Sequence, residues 1–183
     1  FTMKNQKITT YQMAVTAVMA AVLCVLGPLT VPIGAVPISL ANFVICLTAW
    51  LLGPKFGTLS VVIYLALGAI GIPVFSGYGA GIAKLAGPTG GYLAGFWLMI
   101  LVAGIIMEKG KRNLLVTILG MLVGVAIDYA VGTAWFVFQT ESTVVHALDV
   151  CVYPFIPFDV AKIVIAVLLG SVVYKGLQKA KLL

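Results

Sequence analysis

The sequence predicts an all-α integral membrane protein with six transmembrane helices, and three observations support this. Of its 183 residues, 62% are hydrophobic and 9% are charged, which is too apolar for a chain folded around one aqueous core. The apolar runs are continuous and long, unlike the alternating ten-residue strands of an outer-membrane barrel. With the exception of Asp128, the charged residues lie at the ends of these runs or between them.

We expect one membrane domain over residues 3–183. The first apolar run has no charge for 19 residues after Lys4 and Lys7, longer than the apolar part of a typical cleaved signal peptide. It is therefore interpreted as a first span. The Phe-Thr pair before Met3 is interpreted as an added remnant. The six helices are predicted at about 11–29, 38–52, 56–70, 88–107, 114–138 and 158–175.

The cations predict the orientation, because Lys and Arg accumulate in cytoplasmic loops. With both termini in the cytoplasm, nine of the eleven cations lie inside, leaving Lys84 and Lys162 on the outer side. The net charge of +6 then follows from topology and from contact with the lipid bilayer, and no nucleic-acid partner is predicted. The inner cations are Lys4, Lys7, Lys55, Lys109, Lys111, Arg112, Lys175, Lys179 and Lys181.

Two connectors rich in Gly and Pro, residues 27–37 and 71–92, predict an outward-facing binding cavity. The second and third helices reach only about 22 Å, against a hydrocarbon core of about 30 Å, so these connectors should dip into the membrane. Irregular backbone at that depth is tolerated where it lines a cavity. Ser76, Gly77 and Gly79 are the candidate ligand contacts. The alternative, that Gly and Pro only punctuate helices, leaves these glycines without a role.

Several kinds of chemistry lack the residues they need. No phosphate-binding loop motif occurs, His146 is the only histidine, and Cys24, Cys46 and Cys151 lack metal-ligand spacing. The chain is therefore predicted not to be an enzyme, to hydrolyse no ATP by itself, and to have no metal site and no cofactor.

Asp159 and Lys162, at the start of the last span, are the strongest candidates for ligand binding. Three residues apart, they share one helix face. A charge at membrane depth costs about 2.5–3.5 kcal/mol on insertion scales, so such groups pair with each other or serve a ligand. One interpretation is a plain ion pair. The other is that Lys162 meets an anionic group while Asp159 accepts N–H donors of a small solute.

Four further residues are candidate ligand contacts, each with a structural alternative. Asp128 lies within the fifth span. Its three alternative roles are a proton or cation site, an ion-pair partner of Lys162, and a polar contact that holds two helices together. Tyr92 and Trp135 suit stacking on a flat ligand or ordinary packing. Lys84 either guides anions toward the cavity or extends to the membrane surface.

A strip of small residues on the first span, Ala14, Ala17 and Ala21, permits close approach of another helix. It serves either internal packing or docking of another membrane protein.

Three segments of the sequence resemble the BioY family, the biotin-specific S components of energy-coupling factor (ECF) transporters. They are "GIPVFSGYGAG" followed by "GPTGGYLAGF" within 71–96, "PFIPFDVAK" at 154–162 and "LLGPKFG" at 51–57. The resemblance extends from the first span to the last. It implies an S component with a six-helix fold in a prokaryotic plasma membrane. Such a protein captures biotin on the outer side.

The resemblance also implies partners and site residues. Transport would use the transmembrane coupling protein EcfT and two cytoplasmic ABC-type ATPase subunits. Asp159 and Lys162 match the biotin-contacting acid and lysine, and Ala17 and Ala21 match the coupling strip. Some relatives carry an Asn in the glycine-rich loop, where this chain has Gly79. The resemblance then implies that Asn42 or backbone N–H groups of the loop supply the hydrogen bond that this Asn would make.

Two other functions remain open at this point. One is a proton-coupled secondary transporter of a small carboxylate solute, with Asp128 as the proton carrier. The other is a structural membrane scaffold in which Asp159 and Lys162 only tie helices together.

Overall fold

The structure is a computed structural model that describes residues 9–31, 37–110 and 113–179. The predictions for residues 1–2, Lys4, Lys7, Lys111, Arg112, Lys181 and part of the first connector lie outside these residues. The described chain is mostly helical. Its elements are α1 (Thr10–Leu26), β1 (Thr30–Val31), β2 (Ile38–Ser39), α2 (Ala41–Ala69), a 3-10 turn (Ser76–Tyr78), α3 (Gly81–Ala86), α4 (Gly90–Lys109), α5 (Leu114–Thr140), α6 (Val144–Cys151) and α7 (Ile156–Lys179).

Four of these helices are long and apolar enough to cross a membrane by length and composition: Ala41–Ala69, Gly90–Lys109, Leu114–Thr140 and Ile156–Leu177. Helix α1 is apolar but shorter, with 17 residues. Its start is fixed by a capping box, in which Gln12 N donates to Thr9 Oγ1 at 3.2 Å and Thr9 N donates to Gln12 Oε1 at 3.0 Å.

Helix α2 is interrupted at Gly53, whose φ of 69° and ψ of −170° are not helical. A continuous helix would place residues 42 and 64 about 33 Å apart, yet Asn42 and Tyr64 line the same cavity. A side chain at Gly57 would lie 3.6 Å from the carbonyl oxygen of Thr48. The chain therefore reverses at Gly53, and α2 is a hairpin of two short helices.

This α2 hairpin is the centre of the helix packing. It contacts α1, α4 and α7, while α4 packs along α5, and α5 also contacts α6 and α7. Close approach depends on small residues: a side chain added at Gly104 of α4 would lie 2.6 Å from Pro54 Cα, at the turn of the hairpin. The buried core includes Leu23, Val44, Ile45, Val61, Tyr64, Met99, Ile100, Met121 and Ile163.

The two ends of the helix bundle differ: one carries charged side chains, and the other is covered by chain segments that connect the helices. At one end, Tyr11, Lys55, Glu108 and Leu177 line a common cavity, so the start of α1, the turn of α2 and the ends of α4 and α7 meet there. The opposite end is covered by the second connector and the described residues of the first, and it contains the cavity described below.

The second connector and the described residues of the first form a layer that the sequence does not predict in detail. Strands β1 and β2 pair antiparallel, with Thr30 opposite Ser39. In the second connector the fully buried ring of Phe75 packs on Gly68 and lies edge-on to Tyr64, with centroids 5.5 Å apart. Gly77 N donates to the carbonyl oxygen of Pro28 at 3.1 Å. The hydrogen bond joins the two connectors, and Phe75 anchors the second to α2.

We expect Gly53→Ala to destabilise the protein, because the backbone angles of Gly53 are almost restricted to glycine and cost other residues about 1–3 kcal/mol. Thermal unfolding in detergent should show a lower melting temperature. Gly176→Ala is the matched control, since an added side chain on this exposed residue of α7 meets no atom within 4 Å. Equal melting temperatures for the two variants would contradict a strained reversal at Gly53.

Candidate functional site

The candidate site is a cavity between α2, α4, α5 and α7, beneath the connector layer. Its wall combines apolar and aromatic side chains with a few polar groups, the usual character of a small-molecule site. The lining residues are Pro37, Ser39, Ala41, Asn42, Tyr64, Ser76, Thr89, Tyr92, Leu93, Phe96, Asp128, Tyr129, Cys151, Phe155, Asp159 and Lys162.

Asp159 and Lys162 form an ion pair within this wall. Lys162 Nζ lies 2.8 Å from Asp159 Oδ1 and 2.8 Å from the carbonyl oxygen of Ser39. The side chains are only 3% and 12% exposed, respectively. Helical spacing brings the two together, as the sequence predicts, but the contact with Ser39 depends on the fold. It ties α7 to the strand that leads into α2.

The second oxygen of Asp159 holds two more donors. Tyr129 OH donates to Asp159 Oδ2 at 2.6 Å, and Asn42 Nδ2 donates to the same atom at 3.3 Å. Three side chains from three helices therefore converge on this carboxylate. Such charge-assisted hydrogen bonds are the stronger kind, and they fix both carboxylate oxygens in place.

Two of these groups retain hydrogen-bonding capacity for a ligand. An ammonium group has three N–H donors, and Lys162 uses two of them on Asp159 and Ser39. Because an ionised carboxylate only accepts, Asn42 must present its NH₂ group to Asp159. The carbonyl oxygen of Asn42 is then directed elsewhere, and Asn42 lines the cavity. The pair thus offers a ligand one strong donor and one neutral acceptor.

Ser39 is held rigidly, which fixes the position of Lys162. Its Oγ donates to the carbonyl oxygen of Gly27 at 2.7 Å and accepts from Ala41 N at 2.9 Å. One side chain therefore joins the end of α1 to the start of α2. Lys162 contacts the backbone of the same residue, so its ammonium group is placed by three elements at once.

The remaining wall is largely apolar and aromatic, with Tyr64, Leu93, Phe96 and Phe155 among its residues. Tyr92 OH and Thr133 Oγ1 form a hydrogen bond of 3.2 Å. Tyr92 itself is part of the cavity wall. A flat apolar ligand with a polar group at each end would match this lining.

Asp128 also lines the cavity, but in a different environment. The residue is 1% exposed, and its Oδ1 has no hydrogen-bond partner in the described structure. A side chain added at Gly95 would lie 2.3 Å from Oδ1. Gly95 therefore leaves the space that this carboxyl group occupies between α4 and α5.

Six predicted ligand contacts come together in the cavity, and four lie outside its lining. The six are Asn42, Ser76, Tyr92, Asp128, Asp159 and Lys162. Of the others, Gly77 bonds to Pro28, and the side chain of Lys84 packs on Gly79. Trp135 Nε1 donates to the carbonyl oxygen of Gly87 at 2.9 Å, which secures the connector before α4. A contact of these four with ligand stays a prediction.

Sequence reasoning missed Ser39, Tyr129 and Phe155. The relevant group of Ser39 is a backbone carbonyl, which no side-chain pattern reveals. Tyr129 follows Asp128 directly and was hidden within an apolar run, while Phe155 belongs to the segment that carries Asp159. In the described part of the chain, no three His, Cys, Asp or Glu side chains come together as a metal site.

The comparison with known proteins gives one consistent family. The model of the BioY family matches residues 3–179. The biotin transporter BioY of Thermotoga maritima is 37% identical over 159 residues, which cover 87% of this chain and 93% of that protein. Biotin transporter BioY2 of Lactococcus lactis is 33% identical over 176 residues and 96% of each chain.

A solved structure has the same fold. It is the crystal structure of the S-component for biotin from an ECF-type ABC transporter, which matches with a TM-score of 0.86 at 33% identity and covers 92% of this chain and 95% of that one. The family match spans almost the whole sequence, and the apolar helices agree with a membrane location. This chain is therefore a multi-pass membrane protein that belongs to the BioY family.

Proposed function

We propose that this chain is the substrate-binding S component of an ATP-driven ECF importer, and that its substrate is biotin. The observation that carries the proposal is the buried Asp159–Lys162 pair in an apolar cavity, in a chain whose relatives are named biotin transporters. In this role the chain is a transport component and not an enzyme.

The chemistry of biotin supports this assignment. Biotin has a carboxylate, a ureido group with two N–H donors and one carbonyl oxygen, and an apolar fused ring and chain. The free N–H of Lys162 suits either the carboxylate or the ureido carbonyl oxygen. The carbonyl oxygen of Asn42 suits a ureido N–H. The aromatic wall formed by Tyr64, Phe96 and Phe155 suits the apolar ring and chain.

We further propose six membrane-crossing helices with both termini in the cytoplasm and the cavity facing outward. The hairpin form of α2 supports this count, because its two halves are separate short helices beside α1, α4, α5 and α7. The orientation is supported by the cavity that lies at the end opposite to Lys55 and Lys109, since cations favour the cytoplasmic side.

Capture alone does not drive import, so the proposal includes partners: the coupling protein EcfT and two cytoplasmic ABC-type ATPase subunits. Ala14, Ala17 and Ala21 are exposed on α1 and lie on one face by their spacing. Helix α1 has no charged residue. A small-residue strip of this kind supports close packing against a transmembrane helix of the coupling protein.

A second candidate, a secondary transporter with Asp128 as proton carrier, is favoured only by the burial of this carboxyl group, whose Oδ1 has no hydrogen-bond partner among the described residues. Uptake into ATP-depleted vesicles under a pH gradient would support it. We expect instead strict dependence on the ATPase subunits.

We expect the purified protein to bind biotin and Lys162→Met to weaken that binding about 10- to 100-fold, the effect of losing a charged hydrogen bond of about 1.5–3 kcal/mol. Methionine keeps an unbranched apolar side chain as far as the Cε position of lysine and removes the charged amino group with its donors. Titration calorimetry measures the affinity, and Asp159→Asn should weaken it as well.

Lys55→Met is the control, because Lys55 lies at the opposite end of the bundle. Wild-type affinity in both site variants would reject the site. Absence of any biotin-induced thermal stabilisation of the unmodified protein would instead favour a structural scaffold, since a ligand that binds the folded state stabilises it.

We expect Ala17→Trp to reduce uptake strongly while biotin affinity stays unchanged. Overpacking a close helix contact costs about 1–3 kcal/mol, so uptake should fall about tenfold or more. Leu119→Trp is the control, because Leu119 of α5 is also exposed, at 58%, and lies on a different helix. Joint loss of binding and uptake in Ala17→Trp would indicate a folding role for the strip and contradict a docking surface.

A further inference from the structure

Two apolar grooves run along the lateral surface of α5, and both are lined by Tyr129. The α5–α6 groove lies between the exposed residues Ala130 of α5 and Val144 of α6. The α5–α7 groove lies between the exposed residues Leu122 of α5 and Val160 of α7. Because α5 and α7 are long and apolar enough to cross a membrane, lipid acyl chains are the surroundings of these grooves.

Tyr129 separates the two grooves from the ligand cavity. Its side chain lines the cavity as well as both grooves. Among the described residues, only Asp159 shares with it the lining of both the cavity and the α5–α7 groove. The wall between the ligand site and the lipid is therefore one side chain thick at this point, directly beside the buried ion pair of Asp159 and Lys162.

A hydrogen bond holds this part of the wall in place. Tyr129 OH donates to Asp159 Oδ2 at 2.6 Å and so joins α5 to α7. Tyrosine suits the position because it has an apolar ring and one polar tip. The ring meets the apolar grooves, while the hydroxyl group bonds to the carboxylate of the site.

An opening at Tyr129 would have two harmful consequences. Hydrocarbon would contact Asp159 and Lys162, and charged groups in such surroundings are costly. The rest of the cavity wall includes apolar and aromatic residues such as Leu93 and Phe96, so an acyl chain that entered would be bound there by the hydrophobic effect. It would then compete with the ligand for the same space.

We propose that Tyr129 closes the ligand cavity laterally against lipid acyl chains, with its ring as the barrier and its hydrogen bond to Asp159 as the latch. In this role Tyr129 acts through the wall and needs no contact with the ligand. The inference goes beyond the proposed function, because it applies to any ligand that this cavity binds.

Cys151 can report whether the barrier is closed, because it lines the cavity and is 1% exposed. The parent chain for this test carries Cys24→Ala and Cys46→Ala, which leaves Cys151 as the reactive thiol. In vesicles, a pyrene maleimide approaches Cys151 from the lipid, and a charged maleimide approaches it from water. The rates of labelling by the two reagents compare the two routes.

We expect Tyr129→Ala to be labelled from the lipid several-fold faster than the parent chain, with a smaller change in labelling from water. Tyr129→Phe should have an intermediate rate, because the ring remains and the latch is lost. Phe96→Ala is the matched control: it removes a ring from the same cavity wall, but Phe96 lines neither groove. Its labelling from the lipid should equal that of the parent chain. Tyr129→Val replaces the alanine variant if that variant fails to fold.

Equal labelling from the lipid in Tyr129→Ala and the parent chain would overturn the proposal. Equal acceleration in Phe96→Ala would also overturn it, since the effect would then be a general loosening of the cavity. Both outcomes are read from a thiol without biotin present, so they leave the assignment of biotin as the substrate unaffected.

Discussion

The site depends on one buried contact, the ammonium group of Lys162 between Asp159 and the backbone of Ser39. Neither charge is stable alone at membrane depth, so each holds the other in place. The contact also joins α7 to the connector and the start of α2. Tyr129 and Asn42 add α5 and the first half of the hairpin through the same carboxylate. A single ion pair thereby organises the polar part of the cavity.

The hairpin at Gly53 makes this arrangement possible. Because the chain reverses there, Asn42 and Tyr64 return to the same end of the bundle and face one cavity. The second connector and the described residues of the first cover that end, with Phe75 packed against Gly68 of α2. The glycines of the sequence thus have defined roles in the fold. Gly68 leaves space for an aromatic ring, and Gly53 permits the backbone conformation at which the chain reverses.

Much of this site could be predicted from the sequence, for identifiable reasons. Charges are rare in the apolar runs, so Asp128, Asp159 and Lys162 stand out without a structure. The sequence predicts the break within 41–69, because it places separate helices at about 38–52 and 56–70. The contact of Lys162 with Ser39 could not be predicted, since it joins a side chain to a backbone oxygen 123 residues away. Nor could the small strands or the positions of Trp135 and Lys84, which depend on how the connectors pack.

Biotin is expected to bind against the Asp159–Lys162 pair in the cavity. The most direct test is an experimental structure of this chain with biotin bound. We expect one polar end of biotin within hydrogen-bond distance of Lys162 Nζ. Biotin bound away from α7, with Lys162 still contacting only Asp159 and Ser39, would contradict the account.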